Sequence, residues 1–329
     1  MKKTNKLILW IVSIITLAFA VHITAFAINV SDNEITSAAA IVIDFDTGLV
    51  IFEHNADEPR VPASMTKMIA VHVVLDAVRD GLVSLDTLIG ISDRVSNFSY
   101  DRAYTNVPLP PGSSFTVREL LDAVIVRSAG AATIALGEGI FGSEEALIER
   151  MNLKVQQLGI TAELYDSWGG SPNNRVSARA MAELTRALIK EHPGILEFTS
   201  QKSVYFDGIE YGSTNLLLND YEGVDGFKTG FTNPAGWCFS ATAMREGCRI
   251  ITVTMGSEQG HRFLDSTVLL DYGFANYNAV IARHFRGSLL SSYMKPAVNN
   301  LLVPIMMYNI EEARYLELHD LAIILNENR

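Results

Sequence analysis

Residues 64–79 read SMTKMIAVHVVLDAVR and contain neither glycine nor proline. Apolar side chains occupy almost every turn of this stretch, which is the pattern of a helix buried inside a domain. Pro59 and Pro62 break the chain just before it, so the helix is predicted to begin at Ser64. His72 lies within the apolar run, and we interpret it as a core residue rather than as a ligand.

Strand-like segments lie on both sides of a block of helices. Residues 38–55 (AAAIVIDFDTGLVIFEHN) predict a hairpin that turns at Asp46-Thr47-Gly48, whereas residues 80–115 predict mainly loops. Helices are predicted over residues 116–140 (two helices), 143–159, 177–192 and 261–277. From Ser203 to the last of these helices the pattern is that of strands. This order predicts an α+β fold, with an antiparallel sheet flanked by helices and a helical subdomain.

The first pair of helices is predicted to be joined at Ser128-Ala129-Gly130, with Gly130 as the helix stop. The only two cysteines, Cys238 and Cys248, flank the predicted turn of a hairpin. In an antiparallel register they lie too far apart to form a disulfide, so we expect two buried thiols.

Composition limits the class of partner. The 329 residues are 48% hydrophobic, which is enough for one large core or two smaller ones. The net charge of −11 argues against nucleic acid as a partner.

The N-terminal residues have the composition of an export segment. Residues 1–27 carry three lysines and no acid, then an apolar run from Leu7, and end in Ala25-Phe26-Ala27. They predict a cleaved signal peptide, with an uncleaved membrane anchor as the open alternative. The acidic segment at 311–329 has the wrong charge for anionic lipid, so any membrane attachment is expected through the N-terminus only. The location predicted is therefore extracytoplasmic.

Ser64 and Lys67 suit nucleophilic catalysis. A serine hydroxyl needs a base within hydrogen-bond reach, and positions i and i+3 of a helix share a face. Burial would lower the pKa of the Lys67 ammonium, and Ser64 at the helix start would have a free backbone N–H, half of an oxyanion hole. Ser292 and Lys295 have the same spacing, but Pro296 follows and no buried helix continues, so we interpret them as a coincidence.

Three motifs, in order, resemble a known family. They are PASMTK at 62–67, Ser128 in a turn between helices, and KTG at 228–230, and the flanking text GVDGFKTGFTNPAGW (223–237) and LLDYGFANY (269–277) agrees. Together they resemble the penicillin-binding, serine-type D-Ala-D-Ala carboxypeptidases, the low-molecular-mass penicillin-binding proteins of peptidase family S11. The resemblance covers residues 38 to 277 and implies a β-lactamase/transpeptidase-like fold.

The resemblance implies roles for three residues in the reaction itself. Ser64 would form the acyl-enzyme and Lys67 would accept its proton. Ser128 would pass a proton to the leaving D-alanine amine.

Four further residues would bind the substrate. Lys228 and Thr229 would hold its terminal carboxylate, and the backbone N–H of Phe231 would complete the oxyanion hole with that of Ser64. Arg262 lies near the place where the family often has an arginine for this carboxylate, with a spacing that differs by one residue. An ordinary surface arginine remains the alternative.

Two departures from the family pattern stand beside these matches. The second motif of the family is usually Ser-x-Asn, whereas Gly130 occupies the asparagine position here. The sequence therefore lacks one hydrogen-bond donor and one acceptor, so we expect acylation to survive and turnover to be slow. Residues 165–170 (YDSWGG) stand where relatives usually have an Asn-Pro-His-Gly loop, which predicts a different substrate preference.

These patterns predict a three-part chain: residues 1–27 as signal or anchor, 28–277 as a D-alanyl-D-alanine carboxypeptidase domain, and 278–329 as a short C-terminal extension. The predicted activity is removal of the terminal D-alanine from peptidoglycan stem peptides, with β-lactam antibiotics as inhibitors and without a metal or cofactor. One alternative is a penicillin-binding or wall-binding protein impaired by Gly130. A β-lactamase is less favoured, because residues 163–167 do not supply the expected water-activating glutamate motif.

Overall fold

A computed structural model of the chain describes residues 34–293. The chain divides into two units, residues 1–278 and 279–329. The predicted export segment and Lys295 lie outside the described residues. None of the helices within 34–293 combines the length and apolar character needed to cross a membrane.

The strands, in chain order, are β1 Ala39–Asp44, β2 Val50–His54, β3 Leu88–Gly90, β4 Ser114–Thr116, β5 Ala162–Glu163, β6 Arg175–Val176, β7 Ser203–Phe206, β8 Ile209–Gly212, β9 Val224–Thr232, β10 Gly236–Arg245 and β11 Cys248–Ser257. Five of them form an antiparallel sheet in the order β2-β1-β11-β10-β9, and the other six pair as three short hairpin-like sheets. The main sheet therefore combines two early strands, β1 and β2, with three late strands, β9 to β11, as the predicted order requires.

The helices, in chain order, are α1 Lys67–Arg79, α2 Asp93–Ser99, α3 Val117–Asp122, α4 Gly130–Phe141, α5 Glu144–Gln157, α6 Ala178–Glu191, α7 Ile195–Thr199, α8 Leu217–Asp220 and α9 Arg262–Tyr293. Side-chain hydroxyls of Ser143 and Ser177 accept hydrogen bonds from the first turns of α5 and α6, so both predicted helices begin where serine caps them. The segment predicted as loops, residues 80–115, contains β3, α2 and β4. These elements span three to seven residues, too few for a periodic pattern to show.

The predicted buried helix is confirmed, with a different first turn. Residues Ala63–Thr66 form a 3-10 turn, and the α-helix α1 begins at Lys67. In α1 all residues but three are buried, including His72. Because side chains three residues apart eclipse one another in a 3-10 turn, this geometry brings Ser64 directly below Lys67.

The predicted turn between helices is confirmed at Ser128-Ala129, but the prediction that Gly130 stops the first helix is wrong. That helix ends in a π-helical turn, Ala123–Arg127, and Ser128 takes the left-handed conformation, with φ of 68°. Gly130 is the first residue of α4. The left-handed conformation therefore falls on Ser128, a residue with a side chain. This backbone conformation determines where the Ser128 hydroxyl lies.

The cysteine hairpin is also confirmed. Arg245 pairs with Cys248 at the turn between β10 and β11, and Phe239 pairs with Thr254 further along. Both cysteines are buried thiols that are not joined in a disulfide. Burial raises the pKa of the Cys238 thiol to about 11, so this thiol stays protonated.

Candidate active site

Ser64 and Lys67 are brought together at the start of α1. Lys67 Nζ donates a hydrogen bond to Ser64 Oγ at 2.9 Å and another to the backbone carbonyl of Trp168 at 2.6 Å. The Lys67 side chain is buried, with 1% of its surface exposed. Burial lowers its pKa to about 7, against the opposing charge of Asp166. Near neutral pH this amine can therefore lose its proton and act as a base.

Ser128 lies in the turn before α4 with its side chain buried. A Cβ at Gly130, two residues later, would lie 3.3 Å from the ring of Trp168, the residue whose carbonyl contacts Lys67. The helix turn thus reaches the site, although the Lys67 ammonium donates to Ser64 and Trp168 rather than to Ser128.

Strand β9 passes against the turn that carries Ser64. A Cβ at Gly230 would lie 2.8 Å from the carbonyl oxygen of Pro62 and 3.3 Å from the backbone nitrogen of Ser64. Glycine is therefore required here by close approach of two backbones rather than by its φ angle. This contact places the neighbouring residues of β9 at the edge of the same cleft.

Lys228 and Thr229 on β9 are both buried. Lys228 Nζ donates to the carbonyl of Thr229 at 3.1 Å, and Thr229 Oγ1 donates to Thr214 Oγ1 at 2.8 Å. Burial lowers the pKa of Lys228 well below its ordinary value, and the positive charges of Lys67 and Arg262 lower it further. Binding of an anion is favourable at such a site, because an opposite charge favours the ammonium form of Lys228.

Phe231 lies near the end of β9, and Arg262, the first residue of α9, contacts the same part of the strand. The exposed ring of Phe231 packs against Trp237, with centroids 4.3 Å apart. The Arg262 guanidinium is 4.7 Å from the Trp237 ring and 4.7 Å from that of Phe263, and its Nη1 donates to the Gly230 carbonyl at 3.4 Å. Its Nε is buried without a hydrogen-bond partner among residues 34–293, and burial lowers its pKa to about 10. Arg262 is thus held beside β9 and not on the open surface.

The loop at 165–171 closes the other side of Lys67. The Asp166 carboxylate accepts hydrogen bonds from the backbone N–H groups of Gly169, Gly170 and Ser171, at 2.6 to 2.8 Å, and from the side chain of Asn174 at 2.8 Å. A Cβ at Gly169 would lie 1.9 Å from the carbonyl oxygen of Ala63, so only glycine fits. Asp166 therefore fixes the loop that presents the Trp168 carbonyl.

Sequence reasoning named neither Asp166 nor Trp168 as site residues, and it also missed Thr214. In the sequence, the loop stands out only as a departure from a family motif. A backbone carbonyl as partner of Lys67 has no signal in a sequence, because every residue carries one.

A second cluster of polar groups lies between α1 and α6. The ligand-type atoms of His72, Asp76, Glu191 and His192 all lie within 4.8 Å of one another, a set that could hold a metal ion. The Lys154 ammonium already lies among them, 2.7 Å from Glu191 and 3.0 Å from Asp76. We therefore interpret the cluster as an ion-pair network that joins α1, α5 and α6.

The cleft combines a hydroxyl, an amine of lowered pKa and two further basic side chains. The hydroxyl and amine can carry out nucleophilic attack with proton transfer. Lys228 and Arg262 can bind an anionic end of the substrate. The arrangement suits acyl transfer on a substrate that carries a carboxylate near the reacting carbonyl.

Comparison with known proteins agrees with this chemistry. Residues 26–259 match the peptidase family S11 model, described as D-alanyl-D-alanine carboxypeptidase. The D-alanyl-D-alanine carboxypeptidase DacF of Bacillus subtilis is 31% identical over 247 residues, covering 73% of this chain and 62% of DacF. The chain thus spans somewhat less than two thirds of that relative's length.

Solved structures show the fold. A peptidoglycan synthesis regulatory factor, PBP3, from Streptococcus pneumoniae superposes with a TM-score of 0.69 at 35% identity, over 72% of this chain and 71% of that one. Penicillin-binding protein D2 of Listeria monocytogenes, in its cefotaxime-bound form, gives a TM-score of 0.65 at 29% identity, over 75% of this chain and 99% of that one. The predicted β-lactamase/transpeptidase-like α+β fold is confirmed.

Proposed function

The chain belongs to the D-alanyl-D-alanine carboxypeptidases of peptidase family S11, and we propose on that premise that it removes the terminal D-alanine from peptidoglycan stem peptides. The reaction would pass through an acyl-enzyme at Ser64. The observation that carries this proposal is the 2.9 Å contact between Lys67 Nζ and Ser64 Oγ, made by a lysine whose pKa is lowered to about 7.

Acylation begins with proton transfer from Ser64 to the neutral Lys67 amine. The Ser64 oxygen then bonds to the carbonyl carbon of the penultimate D-alanine and gives a tetrahedral intermediate, whose oxyanion the N–H groups of Ser64 and Phe231 stabilise. This intermediate becomes the Ser64 ester when the C–N bond breaks. The C–N bond breaks as Ser128 passes a proton to the departing D-alanine amine and receives one from Lys67. Water then hydrolyses the ester and restores the free Ser64 hydroxyl.

The terminal carboxylate of the substrate would lie against β9. Lys228 supplies a point charge, Thr229 a hydroxyl, and Arg262 a planar set of donors whose Nε has no partner within the described part of the chain. Burying the charges of Lys228 and Arg262 away from water costs free energy, and this cost is offset only when an anion is bound. This requirement favours substrates that end in a free carboxylate.

A penicillin-binding protein with slow turnover is a second candidate, and Gly130 favours it. The space that an asparagine side chain would need beside Lys67 is filled by Phe98 and Trp168, which would lie 3.1 and 3.3 Å from a Cβ at this position. Acylation uses groups that are all present, whereas deacylation would lack that amide. A β-lactamase needs a carboxylate that activates water. Both oxygens of Asp166, the acidic residue of the 165–171 loop, already accept hydrogen bonds from the loop backbone, so this activity is less favoured.

The proposed reaction takes place outside the cytoplasmic membrane, where the cell wall lies. Residues 1–27 would direct export and, if retained, would provide the attachment to the membrane. A protein expressed from residue 28 should then remain soluble without detergent. Sedimentation of that protein with membranes at high salt would contradict this part of the proposal.

Labelling with a fluorescent penicillin tests the nucleophile. The wild type and Ser292→Ala should be labelled, whereas Ser64→Ala should not, and mass spectrometry should place the adduct on Ser64. Hydrolysis of diacetyl-Lys-D-Ala-D-Ala then separates the two candidates, because a slow-turnover protein is labelled but releases little D-alanine. Labelling of Ser64→Ala at the wild-type rate would reject the acyl-enzyme assignment.

A further inference from the structure

Three aromatic rings gather beside Gly130. Trp168 lies 5.0 Å from Phe98 and 5.1 Å from Tyr104, and Phe98 lies 5.3 Å from Tyr104, measured between ring centroids. All three distances fall in the range of favourable tilted or edge-to-face contacts. We call these three residues the aromatic cluster.

The aromatic cluster is continuous with the site already described. The Trp168 ring centroid is 5.8 Å from Lys67 Nζ, and the carbonyl of the same residue accepts the Lys67 hydrogen bond. Gly169, the next residue, packs against the carbonyl of Ala63, immediately before Ser64. A substrate acyl group attached to Ser64 therefore has these rings as a neighbouring wall.

The cluster is held from two sides. The loop of Trp168 is fixed by Asp166, and the Ser167 hydroxyl donates to the buried Glu144 at 2.8 Å. The segment of Tyr104 docks on the start of α4, where the Thr105 carbonyl accepts from Gly130 N at 3.3 Å and Asn106 Oδ1 accepts from Ala131 N at 2.8 Å. The rings thus form a prearranged surface, which lowers the entropy lost on binding.

Tyr104 gives this surface an exposed face. Its side chain is 47% exposed, whereas Phe98 and Trp168 are half-buried beneath it. Its ring packs on Phe98 and Trp168, the two rings that face Gly130, where no amide is available to bond a substrate. An apolar wall replaces a polar contact at this point of the cleft.

We propose that the aromatic cluster is an acyl-donor subsite that binds an aromatic or bulky apolar group carried on the acyl side of the scissile bond. The proposal rests on the proposed function, since it assumes acylation at Ser64. Binding of such a group to the exposed Tyr104 ring compensates for the hydrogen bonds that Gly130 cannot make. Substrate choice at this end therefore depends on apolar contact area.

Two penicillins that differ only in a phenyl group test this subsite. Benzylpenicillin carries a phenylacetyl side chain, and 6-acetamidopenicillanic acid carries an acetyl group on the same amide. The quantity measured is the ratio of their second-order acylation rate constants. An aromatic contact corresponds to about 2- to 10-fold, so Tyr104→Ala should lower the ratio by about that factor. Tyr104→Phe, which keeps the ring, should leave it unchanged.

Tyr205→Ala is the matched control, because Tyr205 is also an exposed tyrosine, on the β7–β8 hairpin, with 68% of its surface exposed. Melting temperatures of the variants establish that they are folded. An unchanged ratio in Tyr104→Ala, or an equal fall in Tyr205→Ala, overturns the subsite while leaving the proposed function intact. Failure of the wild type to react with either penicillin overturns the proposed function and the subsite together.

Discussion

The backbone carbonyl of Trp168 accepts a 2.6 Å hydrogen bond from Lys67 Nζ. A neutral amine has two N–H groups and one lone pair. When one N–H is directed at Trp168, the lone pair can face Ser64, whose Oγ lies 2.9 Å away. The loop thus orients the base as well as closing the cleft.

Acylation should depend on pH through Lys67. Because burial lowers its pKa to about 7, the fraction of Lys67 in the neutral form increases as pH rises through that value. The rate of penicillin acylation should therefore rise about tenfold per pH unit below pH 6 and level off above pH 8. Stopped-flow or gel-based acylation rates from pH 5 to 9 measure this profile, and a flat profile would contradict Lys67 as the base.

Lys67→Arg separates basicity from charge. Arginine keeps the positive charge but does not lose its proton in proteins. Its acylation rate should fall by about a hundredfold or more at pH 7. Lys202→Arg provides the matched control, since Lys202 precedes β7 and should tolerate the change. Equal rates in the wild type and Lys67→Arg would show that charge alone is required.

Asp166→Asn should shift the pH profile of acylation to lower pH. The Asp166 charge raises the pKa of Lys67 against the effect of burial, so removing it lets the pKa fall further. The change also replaces an oxygen that accepts from Gly170 and Ser171 by an amide, so the melting temperature should fall. Asp101→Asn, at another turn-capping aspartate, should change neither. A shift to higher pH would contradict this electrostatic account.

The sequence could predict the elements of the site that repeat in a long pattern. The hydrophobic pattern predicts the buried helix after Ser64, and the KTG motif indicates the strand that carries Lys228. What the sequence could not show is contact between distant backbones, as between Gly230 and the turn of Ser64, or the carbonyl of Trp168 at Lys67. Such contacts depend on how the loops pack, and a glycine in the sequence does not show which distant backbone it will meet.

Lys154→Met should destabilise the folded protein. The Lys154 ammonium lies in a largely buried position between Asp76 and Glu191, and its loss removes the buried cation from these two carboxylates and leaves the half-exposed Arg79 beside them. Because both carboxylates are partly exposed, we expect a loss of about 1 to 3 kcal/mol in the free energy of unfolding, less than for a fully buried pair. Urea denaturation measures this loss.

Arg79→Met is the matched control for that network. Arg79 pairs with Asp76 and Asp80 from a position that is half exposed, so its removal should cost less than about 1 kcal/mol. A larger loss for Arg79→Met than for Lys154→Met would show that the surface pairs, and not the buried ammonium, hold α1 to its neighbours.

Gly130→Asn is the change in which the sequence and the structure predict opposite signs. The motif alone predicts a gain in turnover, because asparagine restores a missing amide. In the structure a Cβ at this position would lie 3.1 Å from Phe98 and 3.3 Å from Trp168, which is tighter than ordinary contact. The Trp168 loop would have to shift and the Lys67 hydrogen bond would weaken, so we expect acylation by penicillin, and with it turnover of diacetyl-Lys-D-Ala-D-Ala, to fall about tenfold. Phe98→Ala in the same chain should recover part of this loss by making room, and the double-mutant cycle measures the coupling.

Gly194→Asn, where nothing lies within 4 Å, controls for the substitution itself. A faster Gly130→Asn enzyme with unchanged melting temperature would show that the rings yield at low cost and that the missing amide, rather than the packing around Gly130, limits the reaction.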